Sequence, residues 1–310
     1  MDKITNEKWV FIVNPIAGNN YAETLIPKIS DEIIKHNIDA VIETTEYHGH
    51  ATKIAMAHVE NGTKYIVSVG GDGTLNEIAK ALLGKPDHVL GVIPAGTGND
   101  FIQILGFPNR FDESHWDVFF QKNITLMDAG SCNNIPFFNG MDLGFDAEVA
   151  AQNYSPDGEV KKGGKGKYWW HIIKTLLFYR EHRMTIVNNG SSKKVNCFIN
   201  TISNGRRFAG DFFLTPKAIA NDGLLDVCAI EKLNLFERFS ILLKVPKGEH
   251  LNVSKVKYFN SDKLKLEFDR EVPFHVDGEL FFASFFEVNI IKGAINVIFN
   301  PNGDHFFTFS

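Results

Sequence analysis

The stretch "VSVGGDGTLNE" (67–77) sets an apolar run against three glycines grouped about one carboxylate, Asp72, with a helix-like segment directly behind. Gly70, Gly71 and Gly73 suit a backbone at positive φ that comes very close to a ligand. A turn of bare N–H groups feeding a helix that begins near Thr74 is a natural cradle for phosphate. A carboxylate would repel phosphate, so Asp72 makes most sense where a cation stands between the two. The plainer alternative is a tight strand-to-helix turn with Asp72 and Thr74 as helix caps. Three more loops carry similar chemistry. "NPIAG" (Asn14–Gly18) is a proline and glycine turn, "TTEYHGHA" (Thr44–Ala51) offers hydroxyls where a helix begins, and "PAGTGNDF" (Pro94–Phe101) adds glycines, Thr97 and a second acid, Asp100. Singly each reads as an ordinary loop; four at successive strand ends gather into one phosphate-rich ligand site. Neither GxxxxGK[ST] nor GxGxxG occurs here, so the loops are not a P-loop or a Rossmann turn.

The elements that must position these loops show in the pattern of the first 130 residues. Apolar runs "WVFIVN" (9–14), "AVIETT" (40–45), "YIVSVG" (65–70) and "VLGVIP" (89–94) read as buried strands. Helix-length segments lie between and after them: Tyr21–His36, Ala51–Asn61 and Leu75–Leu83. This alternation predicts a parallel sheet with helices on both faces, which binds ligands beyond the carboxyl ends of its strands. After about Leu126 the texture changes. Turn signals at Asn133–Asn134, Asn188–Gly190 and Asn221–Gly223 separate runs such as "VNCFINTIS" and "KLKLEF", several with period two, predicting an antiparallel sandwich. Helices are expected at Tyr168–Arg180 and Leu235–Leu243. The division is 1–130 for an α/β domain and 131–294 for a β-sandwich domain, with the tail 295–310 returning to the first.

Composition sets the outer limits. The 310 residues are 44% hydrophobic and 22% charged, the balance of a globular chain, and no apolar run approaches the roughly 20 residues that span a bilayer. The start, "MDKITNEKW", does not resemble a secretory signal. Three separated cysteines, Cys132, Cys197 and Cys228, read as buried thiols in a reducing cytoplasm. A net charge of −5 argues against a nucleic-acid partner. The 27 phenylalanines, often paired as in Phe281–Phe282 and Phe285–Phe286, suit a packed sheet core or a partly exposed apolar surface.

"NPIAG", "GGDGTLNE" and "PAGTGNDF", in this order and spacing, resemble the diacylglycerol kinase catalytic domain in its soluble bacterial form, a relative of sphingosine and ceramide kinases. The likeness continues through "NDGLLDV" (221–227) and "HVDGEL" (275–280). It implies a three-layer α/β nucleotide-binding domain, like that of NAD kinase, followed by a β-sandwich that offers a lipid pocket. It implies ATP binding through Asn14, Pro15, Ile16, Ala17 and Gly18, through Thr45, through Gly71, Asp72, Gly73, Thr74, Leu75, Asn76 and Glu77, and through Thr97. It places a structural Mg²⁺ on Asp222 with backbone oxygens of Ile219 and Leu224, joined by water to Asp72 and Asp100. The catalytic base falls in "HVDGEL". Asp277 and Glu279 are two apart and on a regular strand would share a face, although Asp-Gly is also a strong hairpin signal. Glu279 is the leading candidate, with Asp277 second.

The activity so implied is transfer of the γ-phosphoryl group of ATP to a lipid hydroxyl, with diacylglycerol the leading acceptor and phosphatidic acid the product. "KKGGKGKYWW" (161–170) matches a kinase whose substrate lives in a bilayer: Lys161, Lys162, Lys165 and Lys167 would meet anionic headgroups, and Trp169 and Trp170 the interfacial layer. The competing reading is a glycine–lysine loop before a core helix. The expected location is cytoplasmic, at the inner face of the membrane, and an exposed strand edge would support a homodimer. His48, His50 and His275 match no metal-ligand spacing; His50 is expected to cap or line the turn after the second strand. Two other functions fit parts of the sequence: an NAD kinase-like enzyme, and a catalytically silent nucleotide- or lipid-binding regulator.

Overall fold

The computed structural model describes residues 7–152, 174–188, 190–208 and 212–309. The chain divides into two compact units: Met1–Ala129 with Ile219–Gly223 and Ile291–Ser310, and Gly130–Ala218 with Leu224–Ile290. The short return of Ile219–Gly223 to the first unit, from the middle of the second, has no signature in the sequence pattern.

In the first unit, strands β1 (Trp9–Val13), β2 (Ala40–Thr44), β3 (Tyr65–Gly70) and β4 (Val89–Pro94) are parallel, in the order β4-β3-β1-β2. Every residue of β1, β3 and β4 is buried, which a strand achieves only when both sheet faces are covered. Helices α3 (His50–Glu60) and α4 (Asp72–Leu82) pack on each other and against β1 and β3. Helices α2 (Ile26–Lys35) and α5 (Glu113–Phe120) are joined by the pairs Lys28–Glu113 and Lys35–Asp117. Phe119 and Phe120 of α5 pack at a tilt against Trp9, and Phe120 against Phe11. Pro27 opens α2 and an Asp112–His115 capping box opens α5, each fixing where the helix begins. The helix expected over Tyr21–His36 is broken at Leu25 into α1 (Ala17–Thr24) and α2. The first turn of α1 is left-handed, with Gly18, Asn19 and Asn20 at φ 60°, 57° and 68°.

Strand β5 (Ile124–Cys132) leads into the second unit and pairs antiparallel with β6 (Ile135–Phe137). There β7 (Gly140–Gly144), β8 (His182–Asn188), β9 (Ser191–Ser203), β10 (Leu225–Glu231), β11 (Val256–Ser261) and β12 (Lys263–Val276) also pair antiparallel. One core gathers Phe137, Met141, Leu143, Phe274 and Phe286; a second gathers Phe145, Phe198, Ile230, Ile241 and Val245. Alternation along the long last strand β13 (Glu279–Ile298) buries Phe286 and exposes Phe285, so the paired phenylalanines divide between core and surface. Helix α6 (Phe145–Ala151) was not anticipated, and α7 (Leu235–Lys244) runs one residue past the expected end. Residues 174–178 are helical. The rest of the expected Tyr168–Arg180 helix up to position 173, and the lysine–tryptophan segment with Lys161, Lys162, Lys165, Lys167, Trp169 and Trp170, lie outside the described residues. The three cysteines are free and buried, and burial pushes the Cys132 and Cys228 thiols up to about 12.

β13 carries the chain back to the first unit, where Asn296 and Val297 pair in parallel with Val89 and Leu90 of β4. Asp128 fixes this return. Its buried carboxylate accepts N–H bonds from Gly223 and Gly293, both at 2.7 Å, and its own N–H donates to Ala220 O. Asp128→Asn leaves one of those buried donors facing another donor. The expected loss is about 2–4 kcal/mol in unfolding free energy, read by urea denaturation.

Candidate functional site

The four chemistry-bearing loops leave one edge of the parallel sheet. Register fixes this: Val13 pairs with Thr44 and Val69, and Gly70 with Pro94, so the carboxyl ends are level. Because β2 and β3 flank β1 on opposite sides, the loops after β1 and β3 part at a topological switch point, where such sheets bind ligands.

Adjacent loops are bonded to one another. The Asn14 amide donates to Val69 O, and its side-chain amide donates to Thr74 Oγ1 at 3.0 Å. Thr45 N donates to Val13 O, and Ala95 N and Gly96 N both donate to Gly70 O. Asp72 lies in the first turn of α4. Its Oδ2 accepts from Asp100 N at 3.1 Å and its Oδ1 from Phe101 N at 3.3 Å, so one carboxylate fastens the loop after β4 to the loop after β3. Glu77 does the same one turn later: Gly49 N and Ala51 N donate to its two oxygens, and His48 Nδ1 lies 3.0 Å away. His50 accepts from Glu46 N and stacks on Tyr47, capping the turn after β2. The Pro94–Phe101 loop closes on itself through Asn99, which bonds both N–H and C=O of Gly96.

Two sequence expectations are corrected here. Gly70, Gly71 and Gly73 do not take positive φ; Gly71 is extended, at φ −97° and ψ −173°. Their smallness serves close approach: a Cβ on Gly96 would lie 2.4 Å from Gly71 Cα, and one on Gly18 would lie 2.1 Å from Ala95 O. Left-handed backbone occurs instead in the loop after β1, where Asn19 and Asn20 hold a conformation costing roughly 1–2 kcal/mol each for a residue with a side chain. The second correction is that α4 begins at Asp72, not near Thr74, which makes Asp72 a first-turn acid, favourable at a helix N-terminus. Fastening of the neighbouring loop gives the carboxylate a role before any cation is invoked.

In the second unit, Val276 pairs with Glu279, and Asp277 and Gly278 form the two-residue turn between β12 and β13, at φ 45° and 86°. Positive φ at both central positions is the turn that matches strand twist. Asp277 and Glu279 therefore do not share a strand face. Asp277 accepts three backbone bonds, from Phe138 N at 2.7 Å, Asn139 N at 3.0 Å and Gly140 N at 2.9 Å. Glu279 is exposed at the start of β13. In the first unit Asp222 is exposed on a turn held by Gly223 on Asp128, Ala220 on Phe306 and a reciprocal Asn221–Thr308 pair. An exposed carboxylate on a pinned turn is a hard-oxygen donor of the kind that suits Mg²⁺.

Sequence reasoning missed two features. Arg110 donates to Gly96 O at 3.2 Å and lies 4.1 Å over the Tyr21 ring, a cation beside the Pro94–Phe101 loop. No local pattern marks it. In the second unit the strand register puts His275, Asp142 and Thr201 in one row, with Thr201 donating to Asp142. Burial raises Asp142 well above its usual range, with Asp146 adding repulsion, and burial pushes Asp146 up to about 6. Burial also lowers the His275 imidazole, to about 4.

A parallel α/β unit with its loops at one sheet edge, followed by an antiparallel β-sandwich unit, defines a two-part chain of mixed α/β and β architecture. Residues 8–132 match the diacylglycerol kinase catalytic domain, and residues 140–299 match the YegS C-terminal NAD kinase beta sandwich-like domain. A diacylglycerol kinase of Staphylococcus saprophyticus is 27% identical over 270 residues, covering 86% of this chain and 87% of the relative. One from Staphylococcus aureus is 28% identical, covering 86% and 84%. The crystal structure of a diacylglycerol kinase from Bacillus anthracis superposes with a TM-score of 0.76 at 21% identity, over 96% of this chain and 99% of that one, a likeness of fold. The chain belongs to the diacylglycerol kinase family. It is a kinase.

Two outcomes follow from this geometry. Gly96→Ala forces a methyl into Gly71 and should destabilise by about 1–3 kcal/mol, whereas Gly73→Ala, inside α4 with nothing within 4 Å of the new methyl, should leave stability unchanged or raise it by up to about 1 kcal/mol; denaturant unfolding separates them. The second concerns Asp142 and Asp146, whose folded affinity for protons exceeds the unfolded carboxyl's ordinary 3.8. The favourable contribution of Asp146 is complete below about 3.8 and is lost as pH rises through about 6, and Asp142 is shifted in the same direction. Stability should fall between about pH 4 and about pH 7 by on the order of 2 kcal/mol from Asp146, and Asp146→Asn should flatten that slope in thermal unfolding.

Proposed function

We propose that the protein is an ATP- and Mg²⁺-dependent lipid kinase that phosphorylates the hydroxyl of diacylglycerol to give phosphatidic acid. One observation carries the reading: four glycine- and hydroxyl-bearing loops leave one edge of a parallel sheet at its switch point and are bonded into a single rim. In this proposal the ATP polyphosphate lies along Asn14–Gly18 and Gly71–Thr74, with the Thr45 and Thr97 hydroxyls beside it and the first turn of α4 supplying N–H groups. Leu75, Asn76 and Glu77 hold that turn and the loop after β2 in place. The left-handed turn at Gly18–Asn20 supports the same assignment, since local backbone strain gathers at ligand sites.

Mg²⁺ would be held by Asp222 with backbone oxygens of Ile219 and Leu224, with Asp72 and Asp100 reached through water. When bound, it would offset the phosphate and carboxylate charge of the site. The acceptor hydroxyl oxygen attacks the γ-phosphorus, its proton passes to a carboxylate, and the bond to the β–γ bridging oxygen breaks to release ADP. Glu279 is assigned as that base. Asp277 is the weaker candidate because three backbone N–H groups already occupy its oxygens. Its role is to hold the turn that presents Glu279.

Full-length protein given labelled ATP with diacylglycerol in mixed micelles, or with NAD, decides the acceptor. Labelled phosphatidic acid is expected; labelled NADP, or ATP binding with no lipid product, overturns the reading. Glu279→Gln should lower kcat by at least about 100-fold with an unchanged unfolding midpoint. Asp277→Asn should lower stability by about 2–3 kcal/mol. Full activity in both variants removes this turn from the chemistry.

A further inference from the structure

Helix α7 has two different sides. Arg238 and Ile241 are buried, as is Val245 directly after the helix, and Arg238 donates to Leu176 O and Tyr179 O, holding residues 174–180 against the helix. Phe236, Phe239 and Leu243 recur at helical spacing on the opposite side and are exposed, Phe236 at 88% and Leu243 at 77%. Phe178, at 75%, and the exposed Leu177 extend this apolar surface onto the neighbouring segment. Single exposed apolar residues are ordinary; several large ones on adjoining elements mark an interaction surface.

Charge around this surface is mostly of one sign. Lys232 precedes the helix and Lys244 and Lys247 end it, while Lys174 and Arg180 stand on the segment beside it. The acids nearby are largely neutralised within the fold: Glu237 pairs with Lys255 at 2.6 Å, Glu181 with Arg238 at 2.6 Å, and Glu231 with Lys193 at 3.0 Å. Glu249 adds one exposed acid beyond the helix. An apolar stripe edged by lysine and arginine complements a surface that is greasy within and negative at its boundary.

We propose that the exposed face of α7, with Leu177 and Phe178, docks the protein on an anionic lipid bilayer, the helix lying in the interfacial plane with Phe236 and Leu243 entering the acyl boundary and the lysines meeting headgroups. The proposal rests on the lipid-kinase reading and adds the surface by which the enzyme reaches its substrate's phase. It assigns docking to the second unit independently of the lysine–tryptophan segment.

The full chain, sedimented with vesicles of phosphatidylcholine alone or with added phosphatidylglycerol, provides the test. Wild type should bind the anionic vesicles and release them as salt is raised. Phe236→Ser with Leu243→Ser, and separately Lys232→Glu with Lys247→Glu, should each weaken binding at least tenfold. Both pairs are at the surface, so thermal midpoints should match wild type, and phosphorylation of a water-soluble short-chain diacylglycerol should persist. Unchanged vesicle binding in the serine variant overturns the proposal, as does a wild-type dimer that the serine substitutions dissociate. Failure of the two readings is distinguishable. Binding through this face without any lipid phosphorylation sinks the acceptor assignment and leaves docking intact, and lipid phosphorylation with binding indifferent to both variants does the reverse.

Discussion

The level carboxyl edge of the parallel sheet is the constraint from which the first unit's site follows. Parallel strands joined by helices must all run the same way, so every strand-to-helix loop leaves at the same end. The pairing of Val13 with Thr44 and Val69, and of Gly70 with Pro94, makes those ends coincide to within a residue. Given that edge, Gly71 and Gly96 can touch backbone to backbone, and Gly18 can lie against Ala95. Shift one strand by a residue and each contact is lost.

Loops leave backbone N–H groups unpaired, and buried ones must find acceptors. This chain meets that demand repeatedly with carboxylates. Asp72 receives two amides from the loop after β4, Glu77 two from the start of α3, Asp128 two from distant turns, and Asp277 three from residues 138–140. An ionised carboxylate suits the task because its two oxygens accept several bonds, each stronger than a neutral one. The acids that look catalytic in the sequence are thus partly architectural. Those that combine exposure with a rigid mount, Asp222 and Glu279, are the better candidates for chemistry.

The second unit follows a different rule. Antiparallel strands with period-two patterning bury one set of side chains, and helix α7 with the turn after it covers the second core through Ile241 and Val245. Within this apolar setting the row His275–Asp142–Thr201 is anomalous, and burial sets the protonation of both its ionisable members. The other face of α7 carries the unit's largest concentration of exposed rings and alkyl groups among the described residues.

Much of this was legible in the chain. The runs 65–70 and 89–94 are strands to the residue, because short, largely apolar runs rich in valine and isoleucine between turn signals admit little else. The two-part division, the buried thiols and the family likeness were also readable, since each depends on local pattern or on residues close together in sequence. What remained hidden depends on distance along the chain. Asp128 acts through Gly223 and Gly293, Arg110 through Gly96 and Tyr21, and Asp142 through strands 59 and 133 residues away at Thr201 and His275. The same holds for the glycines: sequence shows that small residues are required, but only packing decides whether the reason is a positive φ or a neighbour that leaves no room. Local pattern is set by the chemistry of adjacent residues, whereas partners this far apart are chosen by strand register and burial, which exist only once the chain has folded.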